Sequence, residues 1–471
     1  MTAGRGFVVG VLANLSGRAG GRDPREHLAR ARLLDIDRDD FDALLARLCP
    51  RLALGLPDCA EIAIPSFEAF HPDALAARIP TLAKLLEARD AVRDPSRVES
   101  LLQEAGASEM LATVTPKGTP APGRAFATES ELLDSLLQEP SAASPAPRLR
   151  PGVDSEFDRL VREIADASAD RTDYALLERW RAAIDRELSR RVRRVLHHSG
   201  FQRLEATWRG LRDLIYHAET GDDLRLRVLN IACEDLQAEL EAESALETTT
   251  LFQLLVEKEK GTPGGEPFDL LVADFTIERK AADLRLLRHL ARVAERAEAP
   301  LVAEVGHSLW EPALRGEPIT DEAWCELKGA EEARWIALAC PRVLLRLPYG
   351  RDLEYCERFA FEEEVSPERP YEYLWGNPVW LVARAACAAL VGRGSLAAVG
   401  DFAGVDGLPI HVQRLGNETI GFGPTERLFT DRELERMGGV GLVTLAAARG
   451  GDSLRIMPLQ SVAGFRLPAR R

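Results

Sequence analysis

Several groups of side chains in this 471-residue chain have the residue types that chemistry needs. Glu362, Glu363 and Glu364 are consecutive carboxylates, suited in principle to general acid–base work or magnesium binding. Paired catalytic carboxylates, however, come from separate elements that face a cleft, and consecutive residues diverge. A charged interface loop is the better reading. His197 and His198 are metal-ligand types, but adjacent helical positions point about 100° apart and no neighbouring Asp, Glu or His completes a set. They read as helix-end or interface residues. The loop GTPGGEPF, residues 261–268, offers glycine-freed backbone N–H groups of the kind that cradle phosphate. No Gly-Lys-Ser/Thr follows, and the loop leads into a strand instead of opening a helix. Gly264 and Gly265 are therefore read as a turn feeding a buried strand that starts at Asp269. The run Arg186, Arg190, Arg191, Arg193 and Arg194 fits a solvated helix face and the positive half of a subunit contact equally well. No aromatic interleaving or RNA-binding signature supports nucleic acid.

No Ser or Cys lies in a G-x-S-x-G elbow, and no H-E-x-x-H occurs. The seven cysteines, Cys49, Cys59, Cys233, Cys325, Cys340, Cys356 and Cys387, are odd in number and form no C-x-x-C pair, so neither a zinc module nor a disulfide framework is expected. Nothing in the sequence asks for an enzyme, a metal or a cofactor. A net charge of −15 makes the chain a poor general binder of nucleic acid or anionic lipid. Its 46% hydrophobic and 29% charged residues are a globular composition, and the length allows two to four domains. The apolar run near the N-terminus is short and glycine-broken, unlike a secretory signal, and no stretch approaches the ~20 apolar residues of a membrane span. These features predict a soluble cytoplasmic protein.

The elements that must position these residues fall into three segments. Residues 1–111 open with a strand-like run, Phe7 to Ala13, add strand candidates at 52–56 and 60–64, and then enter a helix from Pro72 with a kink or break at Pro80. Residues 112–151 contain two Pro/Ala/Gly-rich stretches that read as linkers. Between these lies ESELLDSLLQE, residues 129–139, with Leu132, Leu133, Leu136 and Leu137 on one side. So short a helix needs a partner for that face. Residues 152–471 read as a large α/β region: a long helix over 174–196, a strand at 224–230, a strand–helix–strand unit from DLLVADFTI to PLVAEV that predicts parallel pairing, and a buried helix over 380–391.

The run HHSGFQRLEATWRGLRDLIYH, residues 197–217, joins an apolar stripe of Phe201, Leu204, Trp208, Leu211 and Ile215 to an opposite face of Arg203, Glu205, Arg209 and Arg212. It is read as an assembly surface. Here the chain resembles the large subunit of the contractile sheath of bacterial type VI secretion systems, whose members carry a similar HH-x-x-F-Q-x-L-E-x-x-W-R-G-L run. The likeness continues in order through TPGGEPF, PRVLLRLPYG (341–350), FEEE, YLWGNPVW (373–380), GLPIH, PTE and DRELERMGGVGLVTL. FVVGVLANLSG, LLDIDRDDFDALL and FEAFHPDALAARI resemble the small sheath subunit, with Asn14 where that family has Asp. The fold class expected is thus α/β (α+β), a small β-plus-helix small-subunit-like domain fused to a larger helix-covered mixed-sheet domain.

The resemblance assigns assembly or fold roles to Phe201, Glu205, Trp208, Arg209, Gly210, Gly264, Gly265, Arg346, Glu362, Glu363, Trp375, Gly376 and Asn377. Trp375 to Pro378 read as a tight turn capping the next helix, and Arg342, Arg346 and Arg351 as carboxylate partners, with Glu362 to Glu364 as candidates. It implies a structural subunit that packs with other sheath subunits around an inner-tube protein and drives its ejection by contraction. A baseplate and an AAA+ sheath-disassembling ATPase are further implied partners, and the 129–139 helix is either the handle for that ATPase or docks on the chain's own body. Compared with family members, the sequence stops soon after LRIMPLQSVAGFRLPARR, without their final C-terminal block, and little chain precedes the first strand. A non-polymerising accessory or capping protein, or a repurposed regulatory or enzymatic α/β protein, is the alternative expectation.

Overall fold

The computed structural model describes residues 6–18, 24–110 and 177–468, apart from 243–244, 352, 366–368, 402–403, 416–417 and 449. The leucine-rich 129–139 segment and both linkers lie outside the described residues. The described chain divides into two compact units, one holding 6–75 with 191–468 and the other 76–110 with 177–190.

The first unit is organised by one eight-stranded sheet. The early part of the chain supplies β1 (Phe7–Ala13), α1 (Pro24–Arg30), β2 (Leu33–Ile36), α2 (Phe41–Leu48) and an antiparallel hairpin of β3 (Arg51–Leu56) and β4 (Cys59–Ala63). Then α3 (Pro72–Arg78) begins, and the expected break at Pro80 is a full one: Ile79 is extended and α4 (Pro80–Asp90) starts anew with proline in its first turn. In the second unit α4 is followed by α5 (Pro95–Glu104), started by the Asp94 carboxylate, which accepts from the Arg97 N–H.

Beyond the linker come α6 (177–196), α7 (Ser199–His217), β5 (Leu224–Asn230), α8 (Cys233–Ala242), β6 (Leu270–Ile277), α9 (Ala281–Ala297), β7 (Leu301–Val305), α10 (His307–Arg315), α11 (Glu322–Gly329) and β8 (Ile336–Cys340). The expected strand–helix–strand unit is β6–α9–β7, and its strands pair in parallel. The short strands β9 (Val343–Leu344) and β10 (Trp375–Gly376) pair antiparallel, α12 (Val379–Arg393) is the expected buried helix, and β11 (His411–Leu415) with β12 (Glu418–Phe422) forms a second hairpin. A capping box of Thr430 and Glu433 starts α13 (Asp431–Gly439), and β13 (Leu442–Ala447) and β14 (Leu454–Ile456) close the described fold.

The sheet runs β14-β13-β8-β7-β6-β1-β5-β2. Its six inner strands are parallel, and β2 and β14 add antiparallel edges. Thus β1, from the opening of the chain, lies between β5 and β6. A parallel strand buried on both faces should read as a continuous apolar run, and Val8, Val9, Val11 and Leu12 are all 1% exposed or less. Gly10 is required there, because a Cβ would sit 2.8 Å from the Leu271 side chain and 2.9 Å from Phe268.

Candidate functional site

Helix α7 is a core helix. His198 caps it, its Nδ1 accepting from the Gly200 N–H at 3.2 Å. The apolar stripe is buried as the periodicity predicts, but so are Glu205, Thr207 and Gly210 on its flanks. Aromatic residues from the opening of the chain pack on the stripe: Phe41 meets Trp208 edge-on at 5.6 Å and Phe70 meets Phe201 at 5.7 Å. The Trp208 Nε1–H donates to the Leu15 carbonyl at 3.0 Å. At Gly210 a Cβ would lie 2.3 Å from the indole of Trp380, so glycine is what lets α12 approach. The apolar stripe of residues 197–217, read as an assembly surface, is covered within this chain, while Arg203, Arg212 and Tyr216 stay exposed. Amphipathic spacing marks a face that needs covering without saying what covers it.

The polar residues of this helix feed a buried ion-pair network. Arg346 is its hub: Nε donates to Glu205 Oε1 at 2.8 Å, and its two terminal nitrogens donate to the Glu363 carboxylate at 2.6 and 3.1 Å. Arg209 donates to the same Glu205 oxygen at 2.8 Å and to the Tyr349 hydroxyl at 3.0 Å. Glu363 also accepts the Tyr349 N–H at 3.0 Å and faces His197 Nε2 at 3.3 Å. Burial alone would raise the Glu363 pKa, but Arg346, His197 and the Tyr349 N–H together hold it down at about 2. The expectation of FEEE as a charged interface loop is corrected for Glu363, which is only 4% exposed. Glu362 accepts the Arg351 N–H at 3.1 Å, and Glu364 pairs with Arg193.

A second network lies beside it. Arg342 takes Glu426 as its partner, not the 362–364 run, through its N–H at 2.9 Å and Nε at 2.8 Å. His307 Nε2 adds a contact to Glu426 at 3.3 Å. Against the cost of burial, the His307 hydrogen bond and Arg342 hold Glu426 at about 2. Glu304 opens nearby into a crevice of about 660 Å³ at the carboxyl ends of β1, β5, β6 and β7, where parallel sheets of this order take ligands. Burial pushes Glu304 up to about 7, opposed by the Thr276 hydroxyl, which donates to it at 2.6 Å.

The glycine loop is the expected turn. Gly264 has φ +90°, the Gly265 N–H donates to Thr262 O at 3.0 Å, and a Cβ on Gly265 would lie 2.5 Å from Lys258 O. Trp375 and Gly376 form β10, Gly376 making room for Leu345, and Asn377 Oδ1 accepts the Val379 N–H at 3.0 Å to start α12.

Two family models match this architecture in chain order. VipA of the type VI secretion system matches residues 5–115, and VipB, tail sheath N-terminal domain, matches 178–314 and 317–463. The chain belongs to the type VI secretion sheath family. This sheath protein carries both sheath subunits in one polypeptide. It is 29% identical over 353 residues to the sheath protein TssC1 of Pseudomonas aeruginosa, a match covering 71% of this chain and 70% of the relative. With the sheath protein TssB1 of the same organism it shares 37% identity over 91 residues, 18% of this chain and about half, 52%, of that relative. It is a structural sheath subunit.

In this sheath protein the arginine run turns inward as well as outward. Arg191, 3% exposed, pairs with Asp58 at 3.0 Å, Arg194 pairs with the same carboxylate, and Arg190 pairs with Glu187 on its own helix. Neither of the two sequence readings foresaw an intrachain clasp to the β3–β4 turn. Sequence reasoning also missed Tyr349, Asp58 and Glu426 as partners. Tyr349 and Glu426 lie in runs that carry the family likeness, but nothing in their spacing says which charges meet.

Proposed function

We propose that this chain is a repeating unit of a contractile sheath, in which small- and large-subunit segments act as one protomer that packs with other copies around an inner tube and ejects it by contraction. The observation that supports this best is β1: the small-subunit segment supplies this inner strand, together with the edge strand β2, to a sheet whose other six strands come from the large-subunit segment. A covalent join then fixes the ratio of the two at one to one and replaces a bimolecular encounter with an intramolecular one. Contraction work is mechanical, so the role is not enzymatic. A baseplate and a disassembling AAA+ ATPase complete the set of partners, the ATPase gripping Leu132, Leu133, Leu136 and Leu137. Among the described residues no helix is long and apolar enough to cross a membrane, which fits a cytoplasmic site of assembly.

Negative-stain electron microscopy of the purified chain, alone and with an inner-tube protein of a type VI secretion system, tests the reading. Regular tubules are expected. Particles that stay single in both conditions would instead mark an accessory or capping protein with a sheath fold.

A further inference from the structure

We propose that His71, Asp73 and Cys356 bind a zinc-type divalent cation, which ties the small-subunit segment to the loop between β9 and β10. His71 follows a 3₁₀ turn (Phe67–Phe70), Asp73 opens α3, and Cys356 comes from a loop 283 residues further on. One ligand atom from each of the three lies within 4.8 Å of the others. His71 Nδ1 and Asp73 Oδ2 are 3.8 Å apart. The Asp73 N–H, 3.2 Å from His71 Nδ1, shows that this nitrogen carries its single lone pair, and metal binding exchanges that contact for the cation. The Asp73 carboxylate is oriented by the N–H groups of Glu357 at 2.8 Å and Arg358 at 3.2 Å.

Ligands at about 2.0–2.3 Å from a tetrahedral zinc stand roughly 3.3–3.8 Å from one another. The His–Asp pair already has that separation, and a small movement of the thiol closes the set. One nitrogen, one oxygen and one sulfur suit zinc or cobalt, and do not suit calcium or magnesium, which take oxygen. His71 and Asp73 also line a cavity of about 580 Å³, which gives a fourth position for water. Carboxylates of Glu354 and Glu357 share that cavity. Two of its guanidiniums are engaged by other groups: Arg209 by Glu205, and Arg212 over the rings of Phe67 and Tyr216. On binding, the Cys356 S–H bond breaks, its proton leaves to water and the sulfur–metal bond forms, with no change of oxidation state.

The test is cobalt(II) titration of the reduced, metal-free full chain, followed by absorption. A near-ultraviolet thiolate-to-cobalt charge-transfer band is expected, saturating at one metal per chain and lost when zinc displaces cobalt. Cys356→Ser should abolish the band, His71→Gln should weaken binding roughly tenfold or more, and Cys325→Ser, at an exposed thiol, should leave both unchanged. No band, or a band that survives Cys356→Ser, would overturn the site. Should Cys356→Ser fail to fold, X-ray absorption of the zinc-loaded unaltered chain decides: one sulfur among nitrogen and oxygen neighbours is expected, and a sulfur-free shell sinks the proposal.

Discussion

Arg346 shows how a charge can be held inside a sheath subunit. Its guanidinium is 3% exposed and is shared by two carboxylates, Glu205 and Glu363, with the Tyr349 ring 4.3 Å from it. Removing one member of a buried ion pair costs about 3–5 kcal/mol, because the remaining charges stay buried without compensation. Arg346→Met should therefore cost at least that much in denaturant unfolding. Arg346→Lys should be nearly as harmful, since an ammonium cannot span both carboxylates. A variant as stable as the parent would refute the hub role.

The titrating groups divide by pH window. Glu363 and Glu426 have folded pKa values of about 2, below the unfolded value, so their contribution is full above about pH 4.5 and is lost as pH falls toward 2. Glu304 runs the other way. With a folded value of about 7, it favours the fold below about pH 4.5, and that contribution disappears as pH rises to 7. Glu304→Gln should flatten the decline of melting temperature between pH 4.5 and 7 and leave the acid limb in place; an unchanged profile would show that Glu304 does not titrate in that window.

At the scale of elements, α7 and β1 join the two family segments. Gly210→Ala would gain up to about 1 kcal/mol of helix propensity. The new methyl meets Trp380 at 2.3 Å, however, and overpacking of a tight core costs about 1–3 kcal/mol. Net destabilisation is expected in thermal melts, together with a shift in tryptophan fluorescence. For β1, four side chains at about 1.5–3 kcal/mol of burial each are at stake. Splitting the gene within residues 112–151 should give a large piece that aggregates alone and becomes soluble when co-expressed with the small piece. Solubility of the large piece on its own would contradict the inner position of β1.

Much of this was readable from the sequence, for identifiable reasons. Strand β1, the separate strands β3 and β4 and the β6–α9–β7 unit announce themselves through their local residue pattern. The buried stripe of α7 does too, because Phe201, Leu204, Trp208, Leu211 and Ile215 follow helical spacing. What could not be read is set by distant pairing. Glu205 falls on the polar face by spacing, yet Arg346 arrives from 141 residues away to cover it. Arg342 finds Glu426 because Val343 and Thr425 pair their backbones, a register that no single-chain pattern encodes. The insertion of β1 between β5 and β6 is of the same kind.

For the whole molecule, the prediction concerns disassembly. If the leucine-rich 129–139 segment is the ATPase handle, alanine at Leu132, Leu133, Leu136 and Leu137 should leave tubule formation intact and abolish ATP-dependent dismantling of contracted tubules, scored by electron microscopy with the purified unfoldase. Loss of tubules themselves would mean that the leucines serve assembly instead.

The inner position of β1 also bears on how the protein is made. The strand leaves the ribosome before either of its neighbours, and the second of these ends only at Ile277. At translation rates of 5–20 residues per second, that is a delay on the order of tens of seconds. Until Ile277 the apolar strand lacks its full place between two neighbours, even after β5 ends at Asn230. A nascent chain stalled before Ile277 should therefore hold trigger-factor-like chaperones on its first segment, and one stalled well beyond it should release them.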